Sequence, residues 1–166
     1  MRELVAFPAV VLTVILQSAV ISQISLLSGF GDLTLVVVIA WALQDGVTTA
    51  FHWAVLAAML TSLVSGLPWI ATLAGLLAGV VLAQALQRRI WHAPLLAMFA
   101  VTFIGSLITQ SISYLTLTAL AVPLPFNESF TRVVLPGLLM SLLFSVPVFW
   151  IMRDLARWVN PVLETE

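Results

Sequence analysis

The sequence predicts an all-α polytopic membrane protein with six transmembrane helices and both termini in the cytoplasm. Hydrophobic residues make up 62% of the 166 residues and charged residues only 8%, with a mean hydropathy of +1.18. A soluble domain carries about 25% charged residues, so this composition places the chain in a membrane. The hydrophobic residues occur in long runs separated by short polar or Gly/Pro-containing connectors, and we predict one domain over residues 1–166.

The arginines set the predicted orientation. Six spans require both chain ends on the same side of the bilayer, and this arrangement gathers all arginines but one at a single face. The positive-inside rule identifies that face as cytoplasmic. Only Arg132 lies across the membrane, whereas the cytoplasmic set is Arg2, Arg88, Arg89, Arg153 and Arg157.

A helical hairpin over residues 33–43 and 47–64 is the centre of the predicted fold. Its first helix would be about 17 Å long, well short of the roughly 30 Å hydrocarbon core. Asp32 stands where an N-cap would accept backbone N–H bonds. The predicted break between the helices is Asp45-Gly46, and the turn after them includes Gly66 and Pro68.

Three of the remaining helices carry small or hydroxyl-bearing faces that allow close helix contact in lipid. These are the predicted helices 4–27, 69–86 and 133–152. Each face can pack within the chain's own bundle, which we favour, or dock the transmembrane helix of a partner. The candidate interface residues are Gln17, Ser18, Ser22 and Ser25 in the first helix, Gly75, Gly79 and Ala83 in the second, and Gly137 and Ser141 in the third.

The helix predicted over residues 95–122 carries a stripe of hydroxyl side chains. Such a stripe is compatible with simple packing, because the hydroxyls can bond to their own helix carbonyls. A polar permeation path is the alternative, but no charged residue accompanies the stripe. Its members are Thr102, Ser106, Thr109, Ser113 and Thr116.

Nothing in the sequence predicts an enzyme, a metal site or a cofactor. There is no cysteine, and the net charge of −1 gives no electrostatic basis for binding nucleic acid. Asp45 and His52 are seven residues apart and suggest a proton relay, but we favour a capping role for Asp45 and a neutral His52 hydrogen-bonded within the bundle. No serine has a credible base beside it.

The central hairpin and its surroundings resemble the bacterial rod shape-determining protein MreD family. The resemblance is carried by Leu16-Gln17-Ser18, by Asp32-Leu33 before an apolar run that ends in Trp41-Ala42-Leu43, by Gly46, and by the segment Leu63-Val64-Ser65-Gly66-Leu67-Pro68. Family members often carry an aspartate just before the Ser-Gly turn, where this chain has Ser62, and a glycine after the proline, where it has Trp69.

The resemblance implies a non-enzymatic multi-pass subunit of the cell-elongation machinery in the bacterial cytoplasmic membrane. Such a subunit pairs with MreC and acts near RodA, its penicillin-binding transpeptidase and MreB filaments. Self-association as a homodimer is a further possibility. The family's helical arrangement is also similar to the substrate-binding S subunits of energy-coupling-factor transporters, and that similarity supplies the alternative function: binding a vitamin-like solute in an outward-facing pocket. The Ala-xxx-Ala pattern typical of those subunits is absent from the first helix.

Overall fold

A computed structural model describes residues 6–19, 31–44, 47–87, 93–120, 127 and 130–159. The described residues are all-helical and contain no strand, which confirms the predicted fold class at that level. A short π-helical segment, Phe130–Val134, precedes the last helix. The helices are α1 Ala6–Ala19, α2 Leu33–Ala42, α3 Ala50–Ser65, α4 Trp69–Gln87, α5 Pro94–Ala119 and α6 Leu135–Val159.

Three helices have the length and composition of membrane spans: α4, α5, and α6 together with its π-helical segment, with 19, 26 and 30 residues. The three other helices are shorter. At 10 residues, α2 rises only about 15 Å, which is half the thickness of a hydrocarbon core.

The structure differs from the prediction at the start of α3, which begins at Ala50 and not at residue 47, and at the end of the last helix. Residues 20–27 of the predicted first helix lie outside the described residues. The last helix does not end at residue 152, as predicted, but continues to Val159. It continues because Met152 and Ala156 remain buried against the bundle, four residues apart on one face. Arg153, one residue beyond the predicted end, is helical and places its guanidinium 5.0 Å from the ring centroid of Trp150.

The short helix α2 is the centre of the molecule. All ten of its residues are buried, and it contacts each of the other five helices. Around it, α1 packs on α3, α3 on α4, α4 on α5, and α5 on α6. No comparable contact joins α1 to α6 among the described residues, so the ring of outer helices is open on that side.

The outer surface carries many large apolar side chains, and several hydroxyl side chains are buried inside the mostly apolar interior. Leu63, Leu96, Leu115 and Leu143 are each at least two-thirds exposed, whereas Thr102 is fully buried. This arrangement fits a lipid environment. Lipid tails are as apolar as leucine, so leucine is not driven inward, whereas a hydroxyl can form hydrogen bonds only inside the protein.

Small residues let α2 sit deep between α4 and α5. A Cβ atom added at Gly79 would lie 3.0 Å from Leu35 Cδ1, and one added at Gly105 would lie 3.1 Å from Ile39 Cδ1. Ile39 is fully buried. The two glycines therefore form a notch that receives the Leu35 and Ile39 side chains of α2.

Aromatic and amide contacts fix the other end of α2. The Trp41 and Trp53 rings stack with centroids 4.3 Å apart, and Trp41 Nε1 donates to Thr49 Oγ1 at 3.3 Å. Gln87 Nε2 donates to the carbonyl oxygens of Leu43 and Gln44 at 3.4 and 3.2 Å. These bonds satisfy carbonyl groups that a helix C-terminus leaves without partners.

Candidate functional site

A cavity of about 440 Å³ with several polar residues in its wall lies beside the start of α2. It lies at the end of the bundle where α1 and α3 end and where α2 and α4 begin. We call it the α2 cavity. Its described lining residues are Val14, Gln17, Ser18, Gly31, Asp32, Thr61, Val64, Ser65, Leu67, Thr72, Thr109, Gln110, Ser113 and Val133.

A set of hydrogen bonds holds the first turn of α2 at the cavity wall. Asp32 is the N-cap, and its Oδ1 accepts from the Leu35 N–H at 2.9 Å. From α1, Gln17 accepts from the Leu33 N–H at 2.7 Å and donates to the Gly31 carbonyl at 2.8 Å. From α6, Ser141 Oγ accepts from the Asp32 N–H at 2.9 Å. Three helices are thus joined at one point.

The electrostatics of the α2 cavity are set by one carboxyl group. Burial raises the pKa of Asp32 above its ordinary value of 3.8, and hydrogen bonds from the Leu35 and Thr34 N–H groups oppose that rise. The described lining contains no arginine, lysine or histidine. The cavity wall therefore offers hydrogen-bond acceptors and no positive charge that would attract an anion.

Three threonines of the cavity wall have unused hydrogen-bonding capacity. The hydroxyl oxygens of Thr61, Thr72 and Thr109 are buried and have no hydrogen-bond partner in the structure. They come from α3, α4 and α5, respectively. A buried hydroxyl without a partner costs about 1–3 kcal/mol, so a rotation of these side chains that brings their hydroxyls to a ligand or water in the cavity would relieve that cost.

A second cavity of about 300 Å³ lies on the outer side of α5, against the π-helical segment. We call it the outer groove. Gln110 lines both cavities and donates to the Val134 carbonyl at 3.5 Å, the limit of a hydrogen bond. The described residues that line the outer groove are Leu107, Gln110, Ser111, Tyr114, Leu115, Phe130 and Val134.

The small residues predicted as partner-interface candidates on α4 and α6 pack inside the chain. Gly75, Gly79, Ala83, Gly137 and Ser141 are all buried. Gly75 approaches α5 so closely that an added Cβ would lie 3.0 Å from Thr109 Cγ2. The internal alternative therefore describes these faces, since the chain's own helices already cover them, and a partner would have to contact other surfaces.

The candidates on the first helix divide into two groups. Gln17 is used within the chain, as described above, whereas Ser18 is exposed and donates to the Ile15 carbonyl at 3.1 Å. Ser22 and Ser25 lie outside the described residues.

The predicted caps and the suggested relay are only partly described. Gly66 adopts φ +64° at the C-terminus of α3, a left-handed conformation that favours glycine, and Pro68 follows immediately before α4. Asp45 and Gly46 lie outside the described residues.

His52 is exposed on α3, so it does not lie within the bundle as predicted. It is exposed because Trp53 and Ala54 take the buried positions of that turn.

The hydroxyl stripe of α5 faces the protein interior. Thr102 and Ser106 are buried without a partner, whereas Ser113 and Thr116 donate to the carbonyls of Thr109 and Ile112. Only the part of the stripe nearest the α2 cavity contributes to the cavity wall.

Sequence reasoning missed Thr61 and Thr72 as cavity residues. Both are isolated hydroxyls in apolar helices, and no spacing pattern marked them. They become notable only because α3 and α4 bring them to the same wall as Asp32.

In comparisons with known proteins, no family model matches the chain, and no curated protein or solved structure is similar to it.

Proposed function

We propose that this chain is a non-enzymatic membrane scaffold subunit of the bacterial cell-elongation machinery, which binds MreC and helps to regulate peptidoglycan synthesis and rod shape. In this proposal all six helices are embedded in the cytoplasmic membrane with both termini inside. RodA, its penicillin-binding transpeptidase and MreB belong to the larger complex.

The placement of the family-like segments supports the proposal. Gln17 from the Leu16-Gln17-Ser18 segment bonds directly to the Leu33 amide of the Asp32-Leu33 segment. Ser65 and Leu67 from the Ser-Gly-Leu-Pro turn line the same α2 cavity. The three separate segments that carry the resemblance therefore meet at one end of α2.

The observation that carries the MreC-binding proposal is the open side of the helix ring. The outer helices α1 and α6 both pack on α2 but not extensively on each other along their described residues. Both helices expose apolar side chains, which include Leu12 and Leu16 on α1 and Leu139 and Leu143 on α6. A single transmembrane helix of MreC that packs there would complete the ring around α2.

Site-specific crosslinking tests this placement, because the chain has no cysteine and every introduced cysteine is unique. We would place single cysteines at Leu16 and Leu143, label them with a benzophenone maleimide, and irradiate membranes that contain MreC. We expect crosslinks to MreC from both positions. Val81 on α4, 55% exposed, is the matched control on the far side of the ring and should give none.

Two results would contradict the proposal. Equal MreC crosslinking from Val81 would mean that the contact is not at the open side. Absence of MreC crosslinks from Leu16 and Leu143, with crosslinks to a second copy of this chain instead, would assign the open side to a homodimer.

The α2 cavity favours a second candidate function, the substrate-binding S subunit of an energy-coupling-factor transporter. Its volume of about 440 Å³ is within the range of small-molecule sites, and it combines apolar walls with a few polar groups. Affinity purification in a mild detergent separates the two candidates. Co-elution of MreC supports the scaffold, whereas co-elution of transporter ATPases supports the S subunit.

A further inference from the structure

The α2 cavity and the outer groove share Gln110 as a wall residue, and this adjacency suggests one ligand rather than two. Neighbouring residues also alternate between them: Val133 lines the cavity and Val134 the groove, while Ser113 lines the cavity and Tyr114 the groove. Gln110 of α5 donates to the Val134 carbonyl of the π-helical segment at 3.5 Å, between the two cavities.

The two cavities differ in chemistry. The α2 cavity contains Asp32 and the partnerless hydroxyls of Thr61, Thr72 and Thr109, with no basic residue among its described lining. A phosphate or carboxylate would meet no positive charge there and would lie near a carboxyl group, so the wall selects against anions. A hydroxyl-bearing group without charge can donate to Asp32, and it can bond with the threonine hydroxyls once their side chains rotate toward the cavity.

The outer groove is suited to a hydrocarbon chain. Most of its lining is apolar, and Leu115 and Phe130 are also 67% and 41% exposed on the outer surface of the bundle. A chain lying there would contact these side chains and continue into the surrounding lipid.

We propose that the α2 cavity and the outer groove together bind one lipid, with an uncharged hydroxyl-bearing headgroup in the cavity and an acyl chain in the groove. Gln110 lies where the headgroup of the lipid joins its acyl chain. Glycerol and sugar headgroups share this chemistry. The inference goes beyond both functions proposed above, because neither requires a bound lipid.

Native mass spectrometry of protein released from phosphatidylcholine nanodiscs tests the proposal, with a small fraction of monoacylglycerol as the probe. We expect one retained monoacylglycerol per chain. Phosphatidic acid with the same acyl chain and free glycerol should each be retained at least tenfold less. Equal retention of phosphatidic acid would overturn the headgroup assignment, and equal retention of glycerol would overturn the role of the groove.

Threonine-to-valine variants test the cavity. The pair Thr61→Val and Thr72→Val keeps side-chain shape and removes two hydroxyls without a partner in the chain, so the fold should persist. Loss of two modest hydrogen bonds to the ligand should lower retention about tenfold. Thr102→Val is the matched control, since its hydroxyl is also buried without a partner but does not line the cavity. If all three changes have the same effect, the cavity assignment is wrong.

A bulky side chain in the outer groove tests whether the acyl chain of the lipid lies there. Ser111 lines the groove, is exposed, and donates only to its own helix at Leu107 O, so Ser111→Phe should occupy the groove and lower retention about tenfold. Thr118→Phe is the control on the same helix, because Thr118 is exposed and bonds to Tyr114 O in the same way. Unchanged retention in Ser111→Phe would overturn the proposal, while MreC crosslinking from Leu143 tests the scaffold function separately.

Discussion

Asp32 contributes to the start of α2 through both its carboxylate and its backbone N–H. The carboxylate accepts from the Leu35 N–H, and the backbone N–H donates to Ser141. Its N-cap position could be read from the sequence, since an aspartate precedes an apolar run. The bond to Ser141 could not, because 109 residues separate the two partners.

Substitution of Asp32 tests the cap. We expect Asp32→Ala to destabilise the protein by about 1 kcal/mol, because the Leu35 N–H loses its acceptor. Asn caps helices about as well as Asp, so Asp32→Asn should keep most of that stability. Thermal unfolding in detergent measures the difference, and equal melting temperatures for the two variants would contradict the capping role.

The raised pKa of Asp32 predicts a pH dependence of stability. The folded state binds a proton more readily than the unfolded state between the ordinary value of 3.8 and the raised value. Stability should therefore fall as the pH rises through that window, because the folded protein must hold a buried charge. Below 3.8 the carboxyl is protonated in both states and the penalty disappears. As the pH rises across this range, the melting temperature should fall less steeply in Asp32→Asn than in the unmodified protein. An equal slope in both proteins would show that Asp32 is not the source of the pH dependence.

Two serines of α6 provide a matched pair. Ser141→Ala leaves the Asp32 N–H without its acceptor, which should cost about 1–3 kcal/mol. Ser145 is equally buried, but it donates only to the Leu142 carbonyl of its own helix. Ser145→Ala should therefore cost much less, and melting curves of both variants give the comparison. A larger loss in Ser145→Ala would contradict the link between α2 and α6.

At the scale of the helix, the position of α2 depends on glycines in its neighbours. Gly79 and Gly105 leave the space that Leu35 and Ile39 fill. The small-residue spacing in α4 identified a close-packing face from sequence. It did not identify which helix packs there, because any helix in lipid benefits from the same close approach.

A double-mutant cycle tests the notch. The Cβ atom of Gly105→Ala would lie 3.1 Å from Ile39 Cδ1, and overpacking of this kind costs about 1–3 kcal/mol. Ile39→Val removes that methyl group and by itself costs about 0.5–1.5 kcal/mol. We expect the double variant to be more stable than the sum of the two losses predicts. Strict additivity of the melting shifts would show that the two side chains do not meet.

At the scale of the whole molecule, the apolar exterior and the short central helix argue for a bundle surrounded by lipid. Three helices are long enough to cross the membrane by themselves. The short helix α2 needs no lipid contact, because its neighbours cover all of its side chains. Satisfied backbone groups and complete burial make a half-length helix compatible with membrane depth.

Cysteine labelling tests the proposed topology. Single cysteines at Ser65 and Trp158 would lie at opposite ends of the bundle, and both positions are exposed. An impermeant maleimide added to intact cells should label the Ser65 variant, whereas the Trp158 variant should react only after permeabilisation. Labelling of both positions in intact cells would contradict a cytoplasmic C-terminus.

Composition and local patterns along the chain predict the membrane class, the all-helical fold and the approximate bounds of α2 to α5. These features follow from hydropathy, capping residues and helix breakers, which act within a few residues of one another. The same patterns underestimate α6, where charged residues near position 153 suggest an end, although buried contacts of Met152 and Ala156 continue the helix.

The packing of the helices determines which faces are covered and where a cavity remains. Internal packing of Gly75 and Gly137 was favoured from the sequence, but docking of a partner helix stayed open, since small side chains pack against either kind of helix. Thr61, Thr72 and Asp32 form one wall only because three chain segments meet beside α2. A cavity is the space that packed helices leave unfilled, so it depends on contacts between distant residues that no local pattern encodes.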